Sequence, residues 1–255
     1  MQLAPGVWRI PTAPADLVNS FAFVDDDGQV TLVDAGTKGA PGRIVAGLEH
    51  MGSSPSEVTR IIATHAHPDH VGGLNNLLGR TGARVAVHER DAAYVREGKG
   101  PVLDAATLLG RLLRHGLRST PTQVDEELTD GQVINVGGGL LVLHTPGHTP
   151  GHIALLHEPS GVLITGDSIW NMRRRMTLPV KALCTDFAMS RKSAHVLGEV
   201  DYEVVAFTHG PEIRDNAREA VRGFLRAKAG AQGAGRARRG ASRSRRRTAA
   251  AAWVC

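Results

Sequence analysis

The spacing of apolar and polar positions changes along this chain in a way that marks out its elements. Short apolar runs bounded by Gly, Pro and Asp predict strands at about 6–10, 20–25, 29–34, 59–64, 83–88, 132–136, 140–145, 152–157, 162–166 and 203–208. Helical spacing predicts helices at about 41–51, 69–79, 89–97, 104–115, 189–198 and 214–228. Asp25-Asp26-Asp27-Gly28 reads as a hairpin turn. The first half runs from hairpin-like strands into helix–strand alternation, and the second half repeats that order. Such an order fits an α/β protein in which two β-sheets pack face to face with helices outside.

Four of the strands end alike, in an abrupt turn followed by a side chain that binds metals. After Arg60-Ile61-Ile62-Ala63 comes Thr64-His65-Ala66-His67-Pro68-Asp69-His70. Neutral imidazole and carboxylate are the donors a borderline divalent cation prefers. Residues two apart in extended chain face the same side, so His65 and His67 can hold one ion. Asp69 and His70 follow a proline that opens a helix, which aims them at a neighbouring position. In Thr145-Pro146-Gly147-His148-Thr149-Pro150-Gly151-His152, Pro and Gly on both sides of His148 specify a tight loop. The apolar run Val162-Leu163-Ile164 leads to Gly166-Asp167, and a carboxylate at a buried strand end is costly unless paired or bound to metal. A last apolar run, Val204-Val205-Ala206-Phe207, leads to His209-Gly210. A surface histidine cluster would explain the first of these segments alone, but not all four.

In this order the motifs H-x-H-x-D-H, P-G-H-T-x-G-H, a strand-terminal G-D and a late H-G resemble the metallo-β-lactamase superfamily, over about residues 6–227. The resemblance implies the four-layer αββα sandwich, with the site at one edge where strand ends meet. It implies that His65, His67 and His148 hold one metal, that Asp69, His70 and His209 hold a second, and that Asp167 bridges them. Leu32-Val33-Asp34-Ala35-Gly36 matches the family's early L-V-D-x-G. Asp34 would there orient a metal-bound imidazole; alternatively it caps the turn before Gly36. The bridging Asp and His70 look like the glyoxalase II and lactonase branch rather than the β-lactamases proper. The implied chemistry is hydrolysis of an ester, thioester or lactone of a small molecule by a metal-bridging hydroxide. Two divalent ions would serve, zinc first, with iron or manganese as alternatives, and Asp69 and Asp167 are the candidate proton carriers. The other classes left open are a mononuclear iron persulfide dioxygenase-like oxidoreductase, a β-lactam hydrolase and a non-catalytic binding protein. About 45 residues follow His209, fewer than the helical domain that glyoxalase II uses for glutathione, and Trp170 stands where lactonases often place a tyrosine.

Composition narrows the setting. The 255 residues suffice for one large domain, and no apolar run approaches the roughly 20 residues needed to cross a bilayer. Cys184 and Cys255 make no disulfide framework and stand in no metal-ligand motif. The start, Met1-Gln2-Leu3-Ala4-Pro5-Gly6, lacks a basic, apolar secretory pattern, so a cytoplasmic location is expected. The formal net charge of +5 misleads, because residues 229–255 hold seven Arg and no acid; without them residues 1–228 carry −2. The expected organisation is therefore a catalytic domain at 1–228 and a basic, disordered tail at 229–255. The tail is either a tether for nucleic acid or another anionic surface, or a dispensable extension. The body lacks the interleaved basic and aromatic surface of a nucleic-acid binder, so a small-molecule substrate is expected.

Two further segments lie outside this frame. Residues 94–123 carry an apolar stripe (Val102, Leu103, Leu108, Leu109, Leu112, Leu113, Leu117) beside Arg111, Arg114 and Arg118, which reads as a substrate lid or as an amphipathic surface helix. Trp170, Asn171 and Arg173, just after Asp167, are candidates for the substrate mouth, with Arg173-Arg174-Arg175 attracting an anion; a solvated loop is the alternative. His50, His88, His115, His157 and His195 read as structural or exposed. His144 and His152 flank the His148 loop and are not expected as ligands.

Overall fold

Twelve strands form among the described residues and divide into two sheets; the computed structural model describes residues 1–104, 108–113 and 117–229. The first sheet runs in chain order: β1 (Gln2–Ala4), β2 (Val7–Pro11), β3 (Asn19–Val24), β4 (Val30–Val33), β5 (Val58–Ala63), β6 (Arg84–His88) and β7 (Glu126–Leu128). It is antiparallel from β1 to β4 and parallel from β4 to β7. The second sheet contains β8 (Val133–Ile134), β9 (Leu140–His144), β10 (Ile153–His157), β11 (Val162–Ile164) and β12 (Val204–Ala206) in spatial order β12-β11-β10-β9-β8. Only its β11–β12 pair is parallel. The helices are α1 (Pro41–His50), α2 (Pro68–Val71), α3 (Leu74–Thr81), α4 (Glu89–Glu97), α5 (Leu108–Leu113), α6 (Phe187–Ser193) and α7 at 217–229.

Period-two alternation decides which face each strand presents. In β3, Phe21 and Phe23 turn into the space between the sheets while Ala22 turns out. Val33 and Ile62 join them from β4 and β5, and Val142, Ile153, Leu155 and Ile164 answer from the second sheet. Each such side chain contributes about 1.5–3 kcal/mol by leaving water. The outer face of the first sheet (Leu32, Ile61, Val85) is covered by Ile44 and Leu48 of α1, Leu74 and Leu77 of α3, and Val95 of α4. The outer face of the second (Ala154, Leu163, Val205) is covered by Leu197, Val221 and Leu225. The result is the four-layer αββα sandwich that the sequence leads one to expect.

The differences from the expected elements have local causes. The helix expected at 69–79 is broken into α2 and α3 at Gly72-Gly73, where the 35–38 loop lies directly against the chain. A Cβ on Gly72 would stand 2.8 Å from the Lys38 amide nitrogen, and one on Gly73 2.2 Å from the Ala35 carbonyl oxygen. Ala35 N donates to His70 O at 2.7 Å and Gly73 N to Gly36 O at 3.1 Å, so this contact stitches the two loops together. The helix expected at 189–198 tightens into a 3-10 turn at Ala194–Gly198. The edge strands β1 and β7 were not expected. In β7 the poor strand formers Glu126 and Glu127 are held extended by parallel pairing to Ala86 and Val87. Of the helix expected at 104–115, the described residues form α5. His115, Arg114 and, from residue 230, the basic tail lie outside the described residues.

Replacing Gly73 by Ala should lower stability by about 2 kcal/mol or more, because the new methyl group meets backbone rather than a movable side chain. The urea midpoint of unfolding measures this; an unchanged midpoint would contradict the close approach.

Candidate metal centre

The elements that carry the seven candidate donors all deliver them to the same edge of the sandwich. β5 delivers His65 and His67, α2 delivers Asp69 and His70, and the β9–β10 loop delivers His148. Asp167 follows β11 and His209 follows β12. His65 Nε2 lies 3.2 Å from His67 Nδ1, which lies 2.9 Å from His148 Nε2. Donors about 2.1 Å from one shared tetrahedral ion would stand about 3.4 Å apart, so these nitrogens are close to the required spacing. Asp167 Oδ2 lies 3.1 Å from His148 Nε2, while Oδ1 lies 3.2 Å from His209 Nε2 and 3.6 Å from His70 Nε2. Asp69 Oδ2 is 3.6 Å from His209 Nε2 and 3.7 Å from His70 Nε2. Three donor sets thus converge: His65, His67 and His148; His65, His70 and Asp167; Asp69, His70 and His209. Asp167 faces both ends of the cluster. Six of the seven residues are buried, and the side chain of Asp69 keeps 39% of its exposure.

A model of the metallo-beta-lactamase superfamily matches residues 13–219. The chain belongs to that superfamily. It is 29% identical over 235 residues to the uncharacterized protein YobT of Bacillus subtilis, covering 88% of this chain and 97% of that protein. It is 34% identical over 167 residues to a hydroxyacylglutathione hydrolase of Cereibacter sphaeroides; the match covers 64% of this chain and about half (53%) of that relative. A metallo-beta-lactamase family protein from Thermus thermophilus superposes with a TM-score of 0.67 at 30% identity, covering 90% of this chain and 82% of that one. A Cronobacter sakazakii metallo-beta-lactamase, at 23% identity and a TM-score of 0.70, covers 92% of this chain and 97% of its own and shares the fold.

In this superfamily member the donors are held by a tier of buried groups behind them. Asp34 sits in the left-handed region (φ 62°), which turns its carboxylate back into the core. It accepts from Thr64 N at 2.7 Å, from the Thr64 hydroxyl at 2.8 Å and from His70 Nδ1 at 2.8 Å. His70 Nε2 is thereby left facing Asp167 and Asp69. Thr208 Oγ1 donates to Asp167 Oδ1 at 2.7 Å. Asp167 N donates to His152 Nε2 at 2.7 Å, and His152 Nδ1 faces Thr145 Oγ1 at 2.8 Å. His152 therefore braces the backbone of Asp167. Cys184 Sγ lies 3.6 Å from both His148 Nδ1 and Val180 O; burial foremost pushes its thiol pKa up to about 12, so it stays protonated. The His209 turn is tied to the N-terminal hairpin. His209 Nδ1 meets Leu17 O, and Asn19 Nδ2 donates to Phe207 O and Gly210 O. Asn19 is held in turn by Arg9, which also pairs with Asp16 and Glu212.

Asp91 is the residue that the sequence gives no reason to single out. It is fully buried on α4. It accepts from Ala66 N at 2.9 Å, Thr149 Oγ1 at 2.6 Å and Gly151 N at 2.6 Å. One carboxylate thus locks the His65–His67 turn to the His148 loop. Burial pushes its pKa up, against the pull of these three donors. Its position is set by His88, which caps α4 by accepting from Arg90 N and stacks on the His144 ring at 4.1 Å. Thr64 and Thr208 did leave a trace in the sequence, since each immediately precedes a histidine of the cluster.

Electrostatics and hydrogen bonding both test whether the site suits cations. Burial, then neighbouring imidazoles, holds His65 and His67 well below the ordinary histidine pKa, so both rings are neutral donors. Burial also opposes charge on His70, but Asp69, Asp34 and Asp167 outweigh it and raise its pKa to about 10. Asp167 is likewise disfavoured as an anion by burial, yet His209, His70 and His148 hold it well below the usual carboxylate range. His67 Nε2, His70 Nε2 and His209 Nε2 are buried without a hydrogen-bond partner, a cost of about 1–3 kcal/mol each unless something meets them. Neutral imidazoles, carboxylates and orphaned ring nitrogens in one cluster fit divalent cations.

Above the cluster lies a cavity of about 90 Å³, lined by Pro68, Leu117, Trp170 and Leu183 beside the donors. The Trp170 ring stands 4.9 Å from that of His209. Asn171 does not line this cavity: it is buried, its Nδ2 donates to Pro211 O at 2.8 Å and its backbone N to His209 O at 2.8 Å. Arg173, Arg174 and Arg175 are exposed and do not line it either. Asn171 thus shapes the His209 turn, and of the three mouth candidates Trp170 alone faces the cavity.

Asp91→Ala would orphan three buried donors and should cost about 3 kcal/mol or more in unfolding free energy, with loss of metal affinity; denaturant melts with and without zinc measure both. The proton on cation-free His70 gives a second expectation. Its raised pKa keeps that proton on through neutral pH, so a binding cation must displace it and affinity should rise with pH. Calorimetry in buffers of different ionisation enthalpy should read proton release at pH 7, and none would contradict the assignment.

Proposed function

We propose that this protein is a dinuclear, metal-dependent hydrolase that cleaves an ester, thioester or lactone bond of a small molecule. The observation that carries this reading is the placement of Asp167, one oxygen towards His148 and the other towards His70 and His209. A single carboxylate between two donor sets suits a pair of ions better than one. His65, His67 and His148 would hold the first ion, Asp69, His70 and His209 the second, with Asp167 between them. Zinc is the proposed metal, since the donors are imidazole and carboxylate. Ions held there would supply Lewis acidity for a carbonyl oxygen and lower the pKa of water from about 15.7 towards 7.

The rest of the reaction falls to the chain's own residues. Asp34 and Thr64 fix the His70 ring, and Thr208 fixes the Asp167 carboxylate, so neither reorganises as charge develops. Trp170, Leu117 and Leu183 wall the cavity with apolar surface, which narrows the way in and displaces bulk water. Asp69 is the donor best exposed to solvent, and it is placed to accept a proton at Oδ2 and pass it outward. Similarity to a hydroxyacylglutathione hydrolase over 167 residues supports acyl transfer to water as the reaction class.

Metal quantification joined to a panel of esters, thioesters, lactones, phosphodiesters and β-lactams tests the proposal. Two zinc ions per chain and turnover of an acyl compound are expected. One iron per chain with oxygen uptake would overturn it in favour of an oxygenase, and turnover confined to β-lactams would replace the substrate class. Asp167→Ala and His148→Ala should each lose metal and reduce turnover by more than about a hundredfold; unchanged metal content and rate in either would contradict the site.

A further inference from the structure

The cavity at the donor cluster is not closed. A second hollow of about 550 Å³ adjoins it, and Pro68, Asp69, Leu117 and Leu183 line both. A hollow of this size matches the roughly 300–1,000 Å³ of ordinary small-molecule sites. Its near end is the donor cluster. Where the two adjoin, the shared lining is apolar at Leu117 and Leu183. Beyond them Lys38 and Arg118 enter the lining from opposite segments of the chain. Both are exposed, and neither forms an ion pair with any described residue. The acid in this lining is Asp69, which faces His70 and His209 at the cluster.

The backbone that carries the two cations is held firmly. Thr37 O accepts from Ala40 N at 2.9 Å, and the Lys38 backbone lies against Gly72. Leu117 O accepts from Gly100 N at 2.7 Å, Ser119 N donates to Gly98 O at 3.1 Å, and the Arg118 backbone pairs antiparallel with that of Lys99. The main chain beneath both cations is therefore fixed beside the groove, and no described residue neutralises their charges. Exposed cations are commonplace. Two cations lining a hollow that shares apolar walls with a buried donor cluster are not.

We propose that this groove binds the remote part of the substrate: a short apolar chain ending in an anionic group, carboxylate or phosphate, held by Lys38 and Arg118. The acyl group to be cleaved then lies at the donor cluster. That last clause rests on the hydrolase reading, whereas the anion site stands on the groove alone. Arg173, Arg174 and Arg175 line neither hollow, so the anion recognition expected from them passes to residues far from Asp167 in sequence.

The test uses the full-length, zinc-loaded protein and uncleavable acyl amides in three forms, ending in a carboxylate, a phosphate or a neutral carboxamide, with affinity read by calorimetry. One or both anionic forms should bind about five- to twentyfold tighter than the carboxamide, and added salt should shrink the difference. In the Lys38→Ala/Arg118→Ala double variant that preference should disappear, with the fold checked by its unfolding midpoint. Whichever anion gains more identifies the terminal group. Equal binding of all three forms, no measurable binding, or an anion preference that survives in the double variant would each overturn the proposal; the last would place the anion on the ions instead. Because these ligands are not cleaved, failure of every ester to turn over would count against the hydrolase reading and leave this result standing.

Discussion

Asp167 is 2% exposed, and a carboxylate so deeply placed costs several kcal/mol unless its charge is met. Four imidazoles, those of His65, His70, His148 and His209, lie within 4 Å of its carboxylate, the Thr208 hydroxyl binds one oxygen, and His152 accepts from its backbone amide. That single compensation constrains everything else at this edge. It demands that strand ends from both sheets arrive within a few ångströms of one another, and that the loops carrying them be rigid. It also leaves three ring nitrogens of the cluster unsatisfied within the protein, which is how a preformed cation site differs from an ordinary buried ion-pair network.

Rigidity at the edge comes from backbone contacts more than from the donors themselves. Asp91 ties two donor loops together through three hydrogen bonds. The paired glycines Gly72 and Gly73 let the Asp34 loop lie against the chain just after His70. Asn19 and Arg9 anchor the His209 turn to the first hairpin, some 190 residues earlier in the chain. These positions are remote in sequence from the chemistry, yet each determines the direction of a donor. The substrate side is built differently. Its wall beside the cluster is apolar and its cations are exposed, so recognition there is set by surface charge on a fixed backbone rather than by buried hydrogen bonds.

Much of the fold and nearly all of the donor set were legible in the chain. Strands of alternating and apolar residues, broken by Gly and Pro, imply stacked sheets because period two leaves few other ways to bury both faces. The donors were legible because imidazole and carboxylate at strand ends are physically expensive residues with few uses. What was not legible depends on contacts between distant segments. Nothing local distinguishes Asp91 from any acid in the first turn of a helix. Glu126 and Glu127 oppose strand formation and are extended only because Ala86 and Val87 offer ladder partners. Asn171 and the arginines after it looked like a mouth from their nearness to Asp167, but a strained turn directs them elsewhere.

The sequence by itself determined the architecture and supplied the candidate donors, because each follows from residue chemistry and spacing of a few positions. Tertiary structure alone decided that the donors share one focus, which tier of polar groups orients them, and which cations face the groove. Those outcomes turn on distances between segments up to about 190 residues apart, and such distances are set by how two sheets and their helices pack, not by any local pattern.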